Sequence, residues 1–213
     1  MGVDSLAAAD AVQLPRRRMS RVEQNENKRR LLLASALEVL VEQGYQAMTL
    51  EEVAERAGYT RRPIYTLFGS KEQLALAVLE EQIVRFTVET IEMEPARTLP
   101  GMLEQLARLH TDLTTSESFR PLYELQLALN SAAMRDETIR QELVRFLNAQ
   151  HEDLVAWLSK ICEATGQGFR LPFDEVASII TAGFDGLMNL GFLDPTYHKA
   201  ELKYSLLMAL VAG

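Results

Sequence analysis

The sequence predicts an all-α protein, and three observations carry that prediction. Segments with apolar residues three and four apart recur along the 213 residues, glycines and prolines punctuate them, and no strand-like alternation or hairpin signal appears. With 47% hydrophobic and 24% charged residues, the chain is long enough for one large or two small domains with a real core.

Each element carries its own signals, in chain order. A first helix is predicted over roughly 22–43, with Leu33, Ala36, Leu37, Leu40 and Val41 on one face, stopping at Gly44. Thr49 caps the next, short helix, whose acidic first turn (Glu51, Glu52) suits the helix dipole. Leu50, Val53, Ala54 and Ala57 face inward there, and Gly58 ends it. A third helix, about 61–68, starts three residues later with Thr60 as its expected N-cap. Two short helices joined by a glycine-containing turn form a helix-turn-helix pattern. Lys71 opens a long helix to about 93, closed by Glu94-Pro95, whose later positions Val84, Val88 and Ile91 belong with the C-terminal helices. Further helices are expected at about 99–114, 118–132, 136–164, 173–192 and 197–211.

Charge is distributed unevenly. The formal net charge is −8, yet residues 15–30 hold seven basic residues against Glu23 and Glu26, while residues 76–213 carry 11 Lys/Arg and 20 Asp/Glu. Such asymmetry suggests a polyanion partner on one side only. The third helix concentrates the anomaly. Arg61 and Arg62 occupy its first turn, where the dipole disfavours cations by about 0.3–1 kcal/mol each. Ile64, Leu67 and Phe68 fall on one side of that helix, and Arg61, Arg62, Tyr65 and Thr66 on the other. Guanidiniums, a phenol and a hydroxyl beside a helix N-terminus suit phosphates and base edges, so the arginines fit a helix whose tip meets DNA. Pro63 is tolerable in the first turn but disfavours helical backbone at Arg62, which predicts a distorted start.

The residues from Arg29 to Leu74 carry a resemblance. Ala34-Ser35-Ala36, Glu42-Gln43-Gly44-Tyr45, Met48-Thr49-Leu50, Val53-Ala54, Ala57-Gly58, Tyr65, Phe68-Gly69-Ser70-Lys71-Glu72 and Leu74 resemble the DNA-binding domain of TetR-family transcriptional regulators. The resemblance implies an N-terminal three-helix domain (21–70) and a helical C-terminal domain (71–213) that dimerises and holds a small-molecule pocket. It also implies that Thr49, Tyr65 and Lys71 touch phosphates, while Arg61, Arg62 and Thr66 occupy the base-reading face. Leu67 stands where members often have a phosphate-contacting histidine, and Pro63 where a small or hydroxyl residue is usual, which implies one or two fewer backbone contacts.

Residues 1–20 read as a disordered basic arm. Its Arg16, Arg17 and Arg18 would enter the minor groove and add salt-dependent affinity, or would serve only as a solubilising tail. In the second domain the inward faces collect Met102, Leu106, His110, Phe119, Tyr123, Gln126, Met134, Leu143, Phe146, Leu147, Gln150 and Trp157. That set suits a plain core or an apolar cavity with a few polar groups. With the resemblance, Met102, Leu106, His110, Phe119, Tyr123, Gln126, Phe146, Gln150 and Trp157 become the candidate contacts of an apolar or aromatic ligand. The last two helices are apolar over more than one face. Ile180, Gly183, Leu187 and Leu190, with Leu206 and Leu210, are the expected contributions to a four-helix dimer interface.

Other classes fare less well. His110, His151 and His198 are scattered, HEDLV (151–155) lacks the second histidine of a zinc-protease helix, and neither a phosphate loop nor a nucleophile elbow appears. The lone Cys162 excludes an internal disulfide and a cysteine-cluster metal site. No apolar run approaches the ~18–20 residues of a membrane span, and the N-terminus makes a poor signal peptide. The expectation is a cytoplasmic homodimer without cofactor, not an enzyme: a ligand-responsive regulator, a repressor by resemblance, released from a palindromic operator. A helical binding protein without DNA affinity, or an all-helical enzyme with a dispersed carboxylate site, are the alternatives.

Overall fold

The computed structural model of the chain describes residues 20–91 and 96–212, with side chains throughout except at 85–91. The arm with Arg16, Arg17 and Arg18, the Val88 and Ile91 side chains and the Glu94-Pro95 stop lie outside the described residues. Within them the helices are α1 (Arg21–Ala47), α2 (Leu50–Arg56), α3 (Arg62–Leu67), α4 (Lys71–Ile91), α5 (Leu99–Thr115), α6 (Arg120–Ala133), α7 (Glu137–Thr165), α8 (Phe173–Leu193) and α9 (Ala200–Leu210). The last starts later than expected because Pro195–Tyr197 forms a separate 3-10 turn capped by the Asp194 carboxylate, which accepts from the Thr196 N–H at 2.9 Å.

Local chemistry sets the helix ends. Ser20 and Glu23 close a reciprocal capping box at α1, Thr49 accepts from the Glu52 N–H at 3.2 Å at α2, and Asp136 accepts from Thr138 and Ile139 at α7. Gly44 breaks α1 at φ 78°, a left-handed conformation only glycine adopts cheaply. Gly58, at φ 73°, turns the chain between α2 and α3, while the Tyr59 N–H reaches back to the Ala54 carbonyl at 2.8 Å.

Two hydrophobic cores result. The first unites Leu32, Ala36, Val39 and Leu40 of α1, Val53 and Ala54 of α2 and Ile64 of α3 with Leu74–Leu79 of α4, and continues into Leu125 and Leu129 of α6 and Leu143 of α7. The 70/71 boundary read from the sequence therefore falls inside the reach of one core. Each fully buried leucine removes about 1.5–3 kcal/mol worth of apolar surface from water, an upper figure for a compact unfolded chain. The second core joins α5, the C-terminal half of α7, α8 and α9 around Leu103, Leu158, Val176, Ile180 and Leu207, with Cys162 packed against it. A short antiparallel bridge between Phe169 and Val211 ties the α7–α8 loop to the chain end.

The expectation that no apolar run reaches membrane length is corrected at α8. This helix of 21 residues is long and apolar enough to cross a membrane by length and composition, and only a third of its apolar window is buried inside the chain. Charges at its start and at Asp185 interrupt the run without lowering its average below that of a span. Val176, Ala177, Ile180, Phe184, Met188 and Gly191 form its inward stripe, leaving Ala182, Gly186, Leu190 and Leu193 outward.

Candidate nucleic-acid interface and ligand cavity

The α2–α3 unit stands on α1 through Ile64, fully buried, and Phe68, whose ring also receives the Arg29 guanidinium at 4.9 Å. Arg56 of α2 reaches Glu42 of α1 at 2.8 Å and Glu52 at 3.4 Å, holding the Glu42 carboxyl below its usual range. These bonds tie α2 to α1.

The start of α3 differs from expectation at Thr60. Arg61, not Thr60, takes the cap position, in helical backbone and with no side-chain cap bond. Pro63 contributes to this: a Thr60 cap would accept from the N–H of residue 62 or 63, and residue 63 has none. The Ile64 and Tyr65 N–H groups instead share the Arg61 carbonyl at 3.0 and 3.3 Å, and Arg62 is already helical. Thr60 remains exposed beside the tip.

Around that tip Arg61, Arg62, Tyr65 and Thr66 are all exposed, as is Thr49 at the head of α2. The groups are not equally available. Arg61 pairs with Glu51, and the Thr66 hydroxyl donates to the Arg62 carbonyl at 3.0 Å. The Arg62 guanidinium has no protein partner among the described residues, and Tyr65 is 52% exposed. Lys71 is half-buried: its ammonium lies 4.5 Å from the Tyr45 ring centroid and donates to the Gln46 carbonyl at 3.4 Å, with burial lowering its pKa. The Tyr45 phenol, turned toward Glu72, is pushed up to about 12, mostly by burial.

A cavity of about 270 Å³ opens in the second domain. Five of the nine ligand candidates line it: His110, Phe119, Gln126, Phe146 and Gln150. Met102, Leu106 and Trp157 belong to the second core instead, because α5 and α7 turn those positions toward α8 and α9. Tyr123 is likewise elsewhere. Its hydroxyl donates to the Asn189 side-chain oxygen and its ring stacks on Phe192 with centroids 4.1 Å apart, so it joins α6 to α8. Burial, with Lys203 and His198 adding repulsion, pulls His110 down to about 3, so the ring is neutral at physiological pH. It meets Phe184 edge-on at 4.6 Å.

Sequence reasoning missed several walls. Leu37 and Val41 come from α1, Leu79, Gln82 and Ile83 from α4, and Thr181, Asp185 and Met188 from α8. The α1 pair reads as ordinary core in the sequence, whereas a carboxylate inside the apolar 173–193 stretch was a legible signal. Of the six dimer candidates, Ile180 and Leu210 are buried in their own chain's core, since α8 and α9 turn them inward. Gly183, Leu187 and Leu206 are half-buried, and Leu190 is 43% exposed.

Known proteins share this geometry. Residues 32–78, spanning most of α1 through the first turns of α4, match the family described as bacterial regulatory proteins, tetR family. The HTH-type transcriptional regulator BetI of Rhizobium meliloti (strain 1021) is 28% identical over 170 residues, covering 79% of this chain and 80% of that protein. The HTH-type transcriptional repressor AcnR of Corynebacterium efficiens is 30% identical over 123 residues, 56% of this chain and 65% of that protein. In structure, the multidrug binding protein EbrR complexed with proflavin superposes with a TM-score of 0.58 at 21% identity, over 85% of this chain and 98% of that one. Over residues 32–78 the chain thus carries a helix-turn-helix domain of the tetR family of bacterial regulatory proteins, set in an all-helical architecture that solved regulators share.

Proposed function

We propose that the protein is a homodimeric, cytoplasmic repressor, released from a palindromic operator by a small apolar or aromatic molecule, and not an enzyme. The observation that carries the reading is the tip of α3, where Arg62 and Tyr65 stand exposed on a chain that is otherwise acidic. A lone guanidinium at a helix N-terminus is unfavourable until a phosphate or a guanine edge meets it. Two such tips about 34–36 Å apart would enter successive major grooves.

The outward face of α8, Ala182, Gly186, Leu190 and Leu193, with Leu202 of α9, supports an isologous four-helix contact between copies. Small residues at 182 and 186 let a partner helix approach closely. For release, a molecule in the cavity presses on α1 and α4, the helices that carry the reading head. Its preference for a wrongly spaced pair of tips would weaken DNA binding by about 1–3 kcal/mol of coupling. AcnR is named a repressor and EbrR was solved with a planar aromatic, which lends support to both halves of the reading.

Selection of genomic fragments on immobilised protein at about 150 mM salt, followed by sequencing, tests it, because non-specific contacts weaken at that salt. Enrichment of a two-fold symmetric site is expected. A folded dimer that enriches nothing would overturn the operator and leave the helical domain as the functional part.

A further inference from the structure

We infer that the cavity selects a monocation, an apolar two-ring body bearing one positive charge held against Asp185. This rests on the cavity being the effector site. Among the described residues Asp185 is the one formally charged side chain in the wall, which otherwise carries aliphatic and aromatic groups, three glutamines, two hydroxyls and the neutral His110. The half-buried carboxylate has no cation or hydrogen-bond donor among the described residues; only its backbone carbonyl is engaged, by the Asn189 side chain at 2.8 Å. Burial raises its pKa with no compensating positive charge, consistent with a desolvated acid.

A buried carboxylate without a partner is unfavourable, so natural proteins pair such groups. Here a nearby cation among the described residues is spent elsewhere. Lys203 is enclosed against Thr111 and Thr114, at 3.0 and 3.5 Å, and does not line the cavity. Its charge reaches His110 and opposes a second cation, which limits the ligand to a single charge placed at the Asp185 end. Phe119 and Phe146 supply ring faces that attract a cation as well as an aromatic body. Size is set by volume. A cavity of about 150 Å³ accepts benzene, so about 270 Å³ suits two fused rings.

N-methylquinolinium and 1-methylnaphthalene have the same shape and differ by the charge. Titrating both into the full-length protein by calorimetry should show the cation binding about tenfold more tightly or better, as expected for one charge pair in a partly wet site. Asp185→Asn should remove that preference and leave the naphthalene affinity unchanged. Thr181→Lys, which sets a cation one turn from Asp185 on the cavity wall, should weaken the quinolinium selectively and guards against an Asn variant that misfolds. Equal affinity of the two probes for the wild-type protein, or an Asp185→Asn variant that keeps the preference, would overturn the charge assignment while leaving the cavity as the effector site. Failure of both probes to bind would overturn the cavity reading and this inference with it.

Discussion

Arg62 and Lys71 differ in what holds them, and the DNA contacts proposed for them differ accordingly. The Arg62 guanidinium has no protein partner among the described residues, so it can turn its fork to a base; Lys71 is already anchored over Tyr45 and against the Gln46 carbonyl, which suits a fixed phosphate contact. Arg62→Ala is expected to cost about 1–3 kcal/mol on the operator and to relax specificity, whereas Lys71→Ala should weaken all sequences alike. Binding measured across single-base operator variants distinguishes the two, and an unchanged specificity profile for Arg62→Ala would remove that residue from the reading face. Buried Lys203 offers a test in the absence of DNA. Enclosure lowers its pKa from 10.5 to about 8, so between those values the unfolded chain holds more protons and stability rises with pH. Lys203→Met should therefore stabilise the protein at pH 7 by up to about 3 kcal/mol. That advantage should shrink as pH climbs from 8 toward 10.5 in urea titrations. Thr111 and Thr114 keep their bonds to the Ala107 and His110 carbonyls in the variant. His110 acts in the opposite part of the scale: its folded pKa near 3 lies below the usual 6.5, so stability present above pH 6.5 is lost as pH falls toward 3.

At the scale of the element, α8 is the helix whose two faces ask for two partners. Its inward stripe fills the second core, and its outward stripe faces nothing among the described residues. A side chain at Gly183 would strike Leu206, whereas one at Gly186 would meet open space. Gly186→Arg should thus fold in a single chain, even gaining about 1 kcal/mol of helix propensity, while breaking the proposed contact between copies. Light scattering should find a folded monomer; a dimer that survives the substitution would place the interface elsewhere. Helices were readable because their periodicity and caps are local: Thr49, Gly44 and Gly58 each did what their chemistry predicts. The cap at Thr60 gave way to Arg61 beside a neighbour, Pro63, that lacks one of the two N–H groups such a cap could use. The direction of Tyr123, Met102 and Trp157 was illegible, since one apolar stripe on a helix does not say whether it faces a cavity or a core, and packing between distant helices decides that.

At the scale of the molecule, charge polarity is the property most visible in the sequence and most open to experiment. If Arg16, Arg17 and Arg18 lie against DNA, replacing all three by alanine should flatten the slope of log affinity against log salt by about 2–3, close to 0.9 per lost phosphate contact. An unchanged slope would make the segment a solubilising tail. The sequence also divided the chain after residue 70, and the packing does not respect that line: Leu74, Leu79, Leu125, Leu129 and Leu143 share one core with the reading head. For anyone building hybrid regulators, this has a practical meaning. A graft of the first three helices onto another sensor would carry a severed hydrophobic surface with it, so a working chimera must also import α4 and the matching leucines of α6 and α7.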